Sequence, residues 1–261
     1  MTDDGWQHNS SLVESLLSGF VEKKDDVDPQ YEPMLIANHD GRTMEYAIKD
    51  ELGRSQNFDM SVAFVSQGAL QTLKQNFLDF ADSNDHRSGR IITSTFNYFN
   101  SPKAFAELLK LQQETGIQVR IWQPGQTDET ENTADFPYHP KGYVFHHSDD
   151  DEPLYSTYIG SSNLTINALN SNREWNLRVA TTDTSGLAEQ LTAEINSQIS
   201  ESKPLTDAWL KLYEEDFKRY APPRRPNRRQ TQDAGTITPN AMQVEALMNL
   251  AQLRKQGESR A

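Results

Sequence analysis

The sequence contains no cysteine and no long apolar run. Without thiols the chain can form no disulfide framework, thiolate metal site or cysteine nucleophile. No stretch reaches the roughly 18 apolar residues that a membrane span needs. The polar, acidic start MTDDGWQHNSS has neither the basic nor the apolar region of a signal peptide. These absences predict a cytoplasmic protein.

Basic residues are also scarce, with 25 Lys and Arg against 38 Asp and Glu and a net charge of −13. A nucleic-acid-binding protein normally has the opposite balance. Three acidic segments account for the whole excess, namely residues 1–30, 126–135 and 149–152. They lack apolar periodicity, so we expect them to be tail or loop. The net negative charge therefore lies in these three peripheral segments, and the rest of the chain has no net charge.

One basic strip, KRYAPPRRPNRR at residues 218–229, contains six cations and no acid. Its three prolines favour an extended linker rather than a helix. Two interpretations can coexist: a solvated interdomain linker, or a strip that contacts nucleic-acid phosphates. The candidate phosphate-binding residues in it are Arg224, Arg225, Arg228 and Arg229.

Apolar periodicity predicts helices and strands in alternation. The predicted helices are 11–24, 43–52, 69–82, 102–114, 187–200 and 206–220. The predicted strands are 58–66, 89–96, 117–122 and 174–181, with a hairpin formed by HPKGYVFHH and LYSTYIGSS. Because the strands are almost continuously apolar, they predict an α/β sandwich around a largely buried sheet.

The residues with catalytic chemistry are concentrated in the hairpin and just after it. His139 and Lys141 form an H-x-K motif, G-S-S-N begins nineteen residues after Lys141, and Glu174 lies eleven residues after Asn163. Residues i and i+2 of a strand face the same side, which pairs His139 with Lys141 and Ser161 with Asn163. An imidazole can attack phosphorus, cations and amides can hold the phosphate oxygens, and a carboxylate can orient the imidazole. The set predicts metal-free phosphoryl transfer.

This order of motifs resembles the phospholipase D superfamily, and most closely its bacterial nuclease branch with single-motif endonucleases. The resemblance implies an α-β-α sandwich with a mostly buried mixed sheet, followed by C-terminal helices. It implies that His139 is the nucleophile of a phosphohistidine intermediate and that Lys141 and Asn163 bind the phosphate. Ser161 would support the phosphate, and Glu174 would orient the histidine. The family's usual aspartate, five residues after the lysine, is replaced by His146.

The family needs two such motifs per active site, whereas this chain has one motif and no internal repeat. The resemblance therefore implies a homodimer with the site on the two-fold axis, which is a common kind of assembly. The second copy of His139 would then act as the general acid. No metal or other cofactor is expected in this reaction.

Several alternatives remain open at the level of sequence. With His146 in place of the aspartate, the domain could be a catalytically silent module that binds DNA or a partner. A phospholipase activity is a third hypothesis. Tyr98 could pack in the core or stack on a base near the site. His146 and His147 are interpreted as ordinary strand or loop residues, because no acid or cysteine pattern supports a zinc site.

The end of the chain, residues 237–261, is predicted to contain an amphipathic helix. It also resembles the glutamine motif that precedes the phosphate-binding loop of superfamily-2 helicases. No G-x-x-x-x-G-K-[ST] motif is present, so this chain by itself is not expected to hydrolyse ATP. ATP and magnesium would belong to a missing helicase core.

The whole order resembles a bacterial family in which a phospholipase D-like domain precedes a DEAD/DEAH-type helicase core. This implies a fragment or short member of that family, acting as the DNA nuclease module of a helicase-nuclease, with a role in restriction, defence or DNA processing. The predicted partners are DNA, a second copy and the helicase domain. The predicted divisions are an acidic extension at 1–30, a phospholipase D-like domain at 31–220, a Pro/Arg-rich linker at 221–236 and a helicase-like start at 237–261.

Overall fold

The computed structural model describes residues 32–83, 87–124, 137–148 and 153–222. The chain divides into two units, 1–222 and 223–261, and the second lies wholly outside the described residues. Also outside them are the three acidic segments, the four arginines of the basic strip and the predicted helices at 11–24 and 237–261.

The described residues form one eight-stranded mixed sheet with the order β1-β7-β6-β5-β2-β3-β4-β8. The strands are β1 (Met34–Ile36), β2 (Asn57–Val62), β3 (Ser88–Thr93), β4 (Gln118–Trp122), β5 (Lys141–Ser148), β6 (Pro153–Gly160), β7 (Asn176–Thr182) and β8 (Ser202–Pro204). Strands β2, β3 and β4 are parallel, and the other neighbours are antiparallel. This confirms the predicted α/β fold and its mixed sheet.

Six α-helices accompany this sheet in the described residues. They are α1 (Met44–Arg54), α2 (Gln67–Asp82), α3 (Pro102–Thr115), α4 (Ile166–Asn170), α5 (Gly186–Ser200) and α6 (Asp207–Tyr220). Five begin at a Ser or Thr whose hydroxyl accepts a backbone N–H of the first turn, namely Thr43, Ser66, Ser101, Ser185 and Thr206. These caps explain why the helices start within two residues of their predicted positions.

The two faces of the sheet are covered unequally. One face carries the main apolar core, in which Phe58, Tyr143 and Phe145 pack with side chains from all the helices except α5. On the other face α5 covers a smaller cluster that contains Ile92 and Ile195. The result is an α-β-α sandwich.

The structure ends the predicted strand 58–66 at Val62. Beyond Val62 the backbone N–H groups leave the regular ladder: Ala63 donates to Pro140 O (3.0 Å) and Val65 to the side chain of Asn100 (2.7 Å). Strands β1 and β8 were not predicted, because three residues are too short to show a period.

Glu51 of α1 forms a buried polar network that the sequence did not reveal. Its carboxylate is completely buried and lies 2.7 Å from His147 Nε2, while Ser156 and Tyr158 each donate to it at 2.7 Å. Arg178 is 3.8 Å away. Because these partners belong to β5, β6 and β7, the network attaches α1 to the antiparallel half of the sheet.

Candidate active site

The predicted catalytic residues gather beyond the carboxyl end of β2, where parallel strands give way to antiparallel ones. Lys141, the first residue of β5, is paired in register with Val62, the last residue of β2. The site thus lies at a carboxyl edge of parallel strands, next to a change in strand direction, which is a common place for ligands in α/β sheets.

His139 and Lys141 are in direct contact. Lys141 Nζ is 2.8 Å from His139 Nδ1 and 3.3 Å from Nε2, and it also donates to the His139 carbonyl at 3.1 Å. An imidazole nitrogen can accept a hydrogen bond from an ammonium group only if that nitrogen is itself unprotonated. The contact therefore matches the neutral form of His139, which is the nucleophilic form.

Burial lowers the pKa of His139, and the neighbouring charge of Lys141 lowers it further. Burial also lowers the pKa of Lys141, although the negative charge of Glu174 opposes that shift. Both effects on His139 disfavour the imidazolium, so the neutral imidazole persists to lower pH than in an ordinary histidine.

This gives a prediction for the titration of His139. We expect the ring to titrate below the ordinary histidine value of about 6.5. In Lys141→Met the pKa should rise, because the nearby positive charge is gone. NMR titration of the ring protons measures both values without requiring activity. Lys103→Met, which removes an exposed lysine on α3, should leave the His139 pKa unchanged, and an unchanged value in Lys141→Met would contradict the assignment.

The G-S-S-N motif begins where β6 ends, at Gly160. A Cβ atom at this position would lie 2.0 Å from the carbonyl oxygen of Trp175, so only glycine fits this close approach of two backbones. Next to it, Ser161 N donates to Trp175 O at 3.0 Å, and Trp175 N donates to Ser161 Oγ at 3.0 Å. Ser161 Oγ in turn donates to Glu174 Oε2. The structure thus brings Ser161 and Glu174 together.

Asn163 is held against the turn that follows β2. Its Oδ1 accepts the backbone N–H of Phe64 at 3.3 Å. The Nδ2 group carries the donors of this amide, so it is the part of Asn163 that can donate to a phosphate oxygen. Asn163 and His139 are linked through Phe64, whose ring lies 5.7 Å from the His139 ring.

Phe64 and Phe99 are neighbours of the site; the sequence predicts Phe64 only as a residue of the strand 58–66 and Phe99 only as a core or rim packing residue. Lys141 Nζ lies 5.9 Å from the centre of the Phe64 ring. The Phe99 ring packs on the Phe64 ring, with 4.4 Å between the ring centres. Asn100 fixes this turn, because its side chain bonds Val65 N, Ala63 O and Ser94 O. Phe64 lies inside the predicted strand 58–66, and Phe99 comes shortly after the predicted strand 89–96, and an aromatic residue at either kind of position is too common to indicate a site.

The hydrogen bonds of Glu174 within the described residues go to Ser161 and, at 3.4 Å, to Asn172. None of them reaches His139. The expected role of Glu174 in orienting the histidine therefore stays a prediction.

His146 lies near the far end of β5, five residues beyond Lys141 and roughly 16 Å along the strand. Its ring packs on Tyr155 at 4.8 Å, and Nδ1 is 3.3 Å from Asn57 Nδ2. The presence of His146 where the family usually has aspartate therefore leaves the contact between His139 and Lys141 intact.

Tyr98 is only 4% exposed. Its ring stacks on Tyr213 at 5.9 Å and meets Phe217 edge-on at 6.0 Å. Tyr98 is therefore a core residue, as the packing interpretation expects, and a base could stack on its ring only after displacing its neighbours.

In the described part of the chain, no three His, Asp or Glu side chains form a group that could hold a metal ion. Nor does any helix there combine the length and apolar character needed to cross a membrane.

The fold and the site define an α/β domain in which an H-x-K motif and a G-S-S-N motif lie at one edge of a mixed sheet. The family model described as "Cardiolipin synthase, PLD-like domain" matches residues 55–199, which is more than half of the chain. The chain belongs to this phospholipase D-like family. A comparison with curated proteins gave no significant match.

Similar solved structures include NucT from Helicobacter pylori, with 13% identity and a TM-score of 0.47, covering 66% of this chain and 98% of that one. Another is the phospholipase D family member Nuc from Salmonella typhimurium, with 15% identity, a TM-score of 0.42 and the same coverages. Phosphatidylserine synthase from Haemophilus influenzae has 18% identity and a TM-score of 0.44, covering 72% of this chain and 45% of that one.

Proposed function

We propose that the chain is a metal-independent phosphodiesterase that cleaves DNA through a phosphohistidine intermediate. The observation that carries the proposal is the contact between Lys141 Nζ and the ring of His139 beside the G-S-S-N turn. It combines a neutral nucleophile with a cation that can hold a phosphate oxygen.

The reaction would proceed in two displacements. His139 attacks phosphorus, a P–N bond forms, and the P–O bond to the leaving nucleoside breaks. Lys141 and the Asn163 amide stabilise the negative phosphate oxygens, supported by Ser161. The leaving oxygen receives a proton from His139 of the partner subunit. Water then attacks phosphorus and gives a proton to His139 of the partner subunit, which regains the proton it lost, while the P–N bond breaks and frees the first His139. The sum is phosphodiester plus water giving phosphomonoester plus alcohol.

An exposed apolar patch beside the site supports a homodimer. Its members are Leu35 (52% exposed), Ile159 (53%), Trp175 (72%) and Leu177 (41%). Leu177 is paired in register with both Leu35 and Ile159, so the three side chains share one face across β1, β7 and β6. Trp175 follows Glu174 directly, which places the patch next to the catalytic residues. Burial of such a patch against its copy would bring two sites together.

We therefore expect Leu177→Asp to convert the dimer to a monomer and to reduce phosphodiesterase activity at least tenfold, because a charge in an apolar interface is strongly unfavourable. Light scattering measures the mass. Leu212→Asp changes a leucine of similar exposure on α6 and should preserve both mass and activity. A fully active Leu177→Asp monomer would exclude a shared site.

A second candidate function, phosphatidyl transfer or hydrolysis, is favoured by the description of the matching family model, which names cardiolipin synthase. The same residues could attack a lipid phosphodiester. The two candidates differ in substrate and can be separated in one assay series.

The test uses purified protein in EDTA with single-stranded DNA, double-stranded DNA and phosphatidylglycerol vesicles. We expect cleavage of DNA and no change in the lipid. Lipid turnover without DNA cleavage would establish the second candidate. DNA binding without cleavage of any substrate would instead indicate the catalytically silent module.

We also propose, from the order of motifs along the sequence, that the domain works beside a helicase core that delivers DNA to it. The arginines of the basic strip would contact phosphates in that assembly. DNA binding by the chain alone should then weaken steeply as salt increases.

A further inference from the structure

The segment 63–66, which follows β2, is bonded to both catalytic motifs. On one side, Ala63 N donates to the carbonyl oxygen of Pro140, the middle residue of the H-x-K motif, at 3.0 Å. On the other side, Val65 forms a parallel β-bridge with Leu164, which directly follows the G-S-S-N motif. The next residue of the segment donates its backbone N–H to the Leu164 carbonyl at 3.0 Å. The segment therefore fixes the spacing between the two motifs.

Phe64, near the centre of this segment, contacts side chains of both motifs. Its ring is nearly perpendicular to the His139 ring, at 83°, with 5.7 Å between the ring centres. Lys141 Nζ lies 5.9 Å from the centre of the Phe64 ring, which is within the range of a cation–π contact. The Phe64 backbone N–H donates to Asn163 Oδ1 at 3.3 Å. One residue thus contacts the nucleophile and both phosphate-binding groups of the proposed reaction.

Phe64 is itself held in place by its neighbours. Asn100 is only 2% exposed, and its Oδ1 accepts the N–H of Val65 at 2.7 Å while its Nδ2 donates to the carbonyl of Ala63 at 3.0 Å. These bonds lie on either side of Phe64, so a shift of its backbone would break buried hydrogen bonds, which is unfavourable. The Phe99 ring packs on the Phe64 ring, with 4.4 Å between the ring centres, and restricts its rotation.

A phenyl ring has no group that can donate a hydrogen bond to a phosphate oxygen or transfer a proton, so its contribution at this place is geometric. We propose that Phe64 is a positioning residue of the phosphodiesterase reaction proposed above, on which this role depends: it holds His139 and Lys141 in the mutual orientation that attack on phosphorus requires. A misplacement of about 1 Å can cost about 10²-fold in rate. Because the phosphate-binding groups themselves remain, loss of the ring should lower kcat and leave KM nearly unchanged.

Phe64→Leu removes the ring but keeps an apolar side chain and the backbone N–H. We expect its kcat for a chromogenic phosphodiester to fall between about tenfold and about 10²-fold, with KM within about twofold of the wild-type value. Phe64→Tyr keeps the ring and should restore most of the lost rate. The matched control is Tyr155→Leu, which removes a half-buried ring that packs on His146 near the far end of β5. It should change neither constant.

A nuclear Overhauser effect between the Lys141 ε-methylene and the His139 ring protons reports their mutual orientation without requiring activity. We expect it in the wild type, in Phe64→Tyr and in Tyr155→Leu, and we expect it to weaken or disappear in Phe64→Leu. A cooperative thermal transition in each variant shows that the comparison is made on folded protein.

The outcomes separate this role from the proposed function. A wild-type kcat in Phe64→Leu, a rise in KM without a fall in kcat, or an equal loss of rate in Phe64→Tyr would overturn the positioning role and leave the phosphodiesterase activity standing. If the wild type cleaves no phosphodiester, the proposed function fails, and the Overhauser effect alone decides whether Phe64 sets the contact between His139 and Lys141. An unchanged effect in Phe64→Leu overturns the positioning role in either case.

Discussion

His139→Ala should reduce phosphodiester cleavage in EDTA by about 10³-fold or more, the size of effect seen when a catalytic nucleophile or its base is removed. The reason is that the P–N bond of the proposed intermediate cannot form without the imidazole. A chromogenic phosphodiester gives the rate. Mass spectrometry of wild-type protein denatured at alkaline pH should place on His139 an adduct that consists of the phosphoryl group and its remaining ester substituent.

The matched control is His39→Ala. His39 is an exposed histidine paired with Asp40 at 2.5 Å, in the turn before α1. We expect full activity in this variant. Cleavage in EDTA that survives His139→Ala at the wild-type rate would refute the proposed nucleophile and, with it, the phosphohistidine mechanism.

Glu51→Gln should lower the free energy of unfolding by roughly 3 kcal/mol at neutral pH, without changing a residue of the site. Burial by itself would raise the pKa of Glu51. Hydrogen bonds from His147, Ser156 and Tyr158 and the charge of Arg54 outweigh burial and lower the pKa to about 2. A depression from 4.5 to about 2 is worth roughly 3 kcal/mol, at about 1.4 kcal/mol per pKa unit.

The dependence on pH separates this charge effect from a simple packing defect. Because the folded-state pKa is lowered, the stabilisation is fully present above about pH 4.5 and disappears as the pH falls towards 2. The difference between wild type and Glu51→Gln, from urea unfolding, should shrink over that window. A difference that stays constant with pH would contradict the assignment. Asp50→Asn, at an exposed position on the same helix, should cost less than about 1 kcal/mol.

Most of the secondary structure followed from the sequence, because its signals are local. The spacing of Met44, Ile48 and Leu52 set the helical face of α1, and the apolar run GRIITSTF set β3. The short elements escaped prediction, since β1, β8 and α4 hold three to five residues and depend on their neighbours. The sequence extends the predicted strand 89–96 to Phe96, whereas β3 ends at Thr93 and Phe96 begins a 3₁₀ turn, Phe96–Tyr98, in which Asn97 and Tyr98 have positive φ.

The sequence by itself determined which residues are candidates for the site, and it determined the pairing of His139 with Lys141, because alternation along a strand puts residues i and i+2 on one side. Only the tertiary structure decided which groups that are far apart in the sequence come into contact. It placed Phe64 between His139 and Asn163, bonded Glu174 to Ser161 and buried Tyr98. It also gathered His147, Ser156, Tyr158 and Arg178 around the carboxylate of Glu51. Contacts between residues far apart in the chain depend on strand order and packing, which no local pattern encodes.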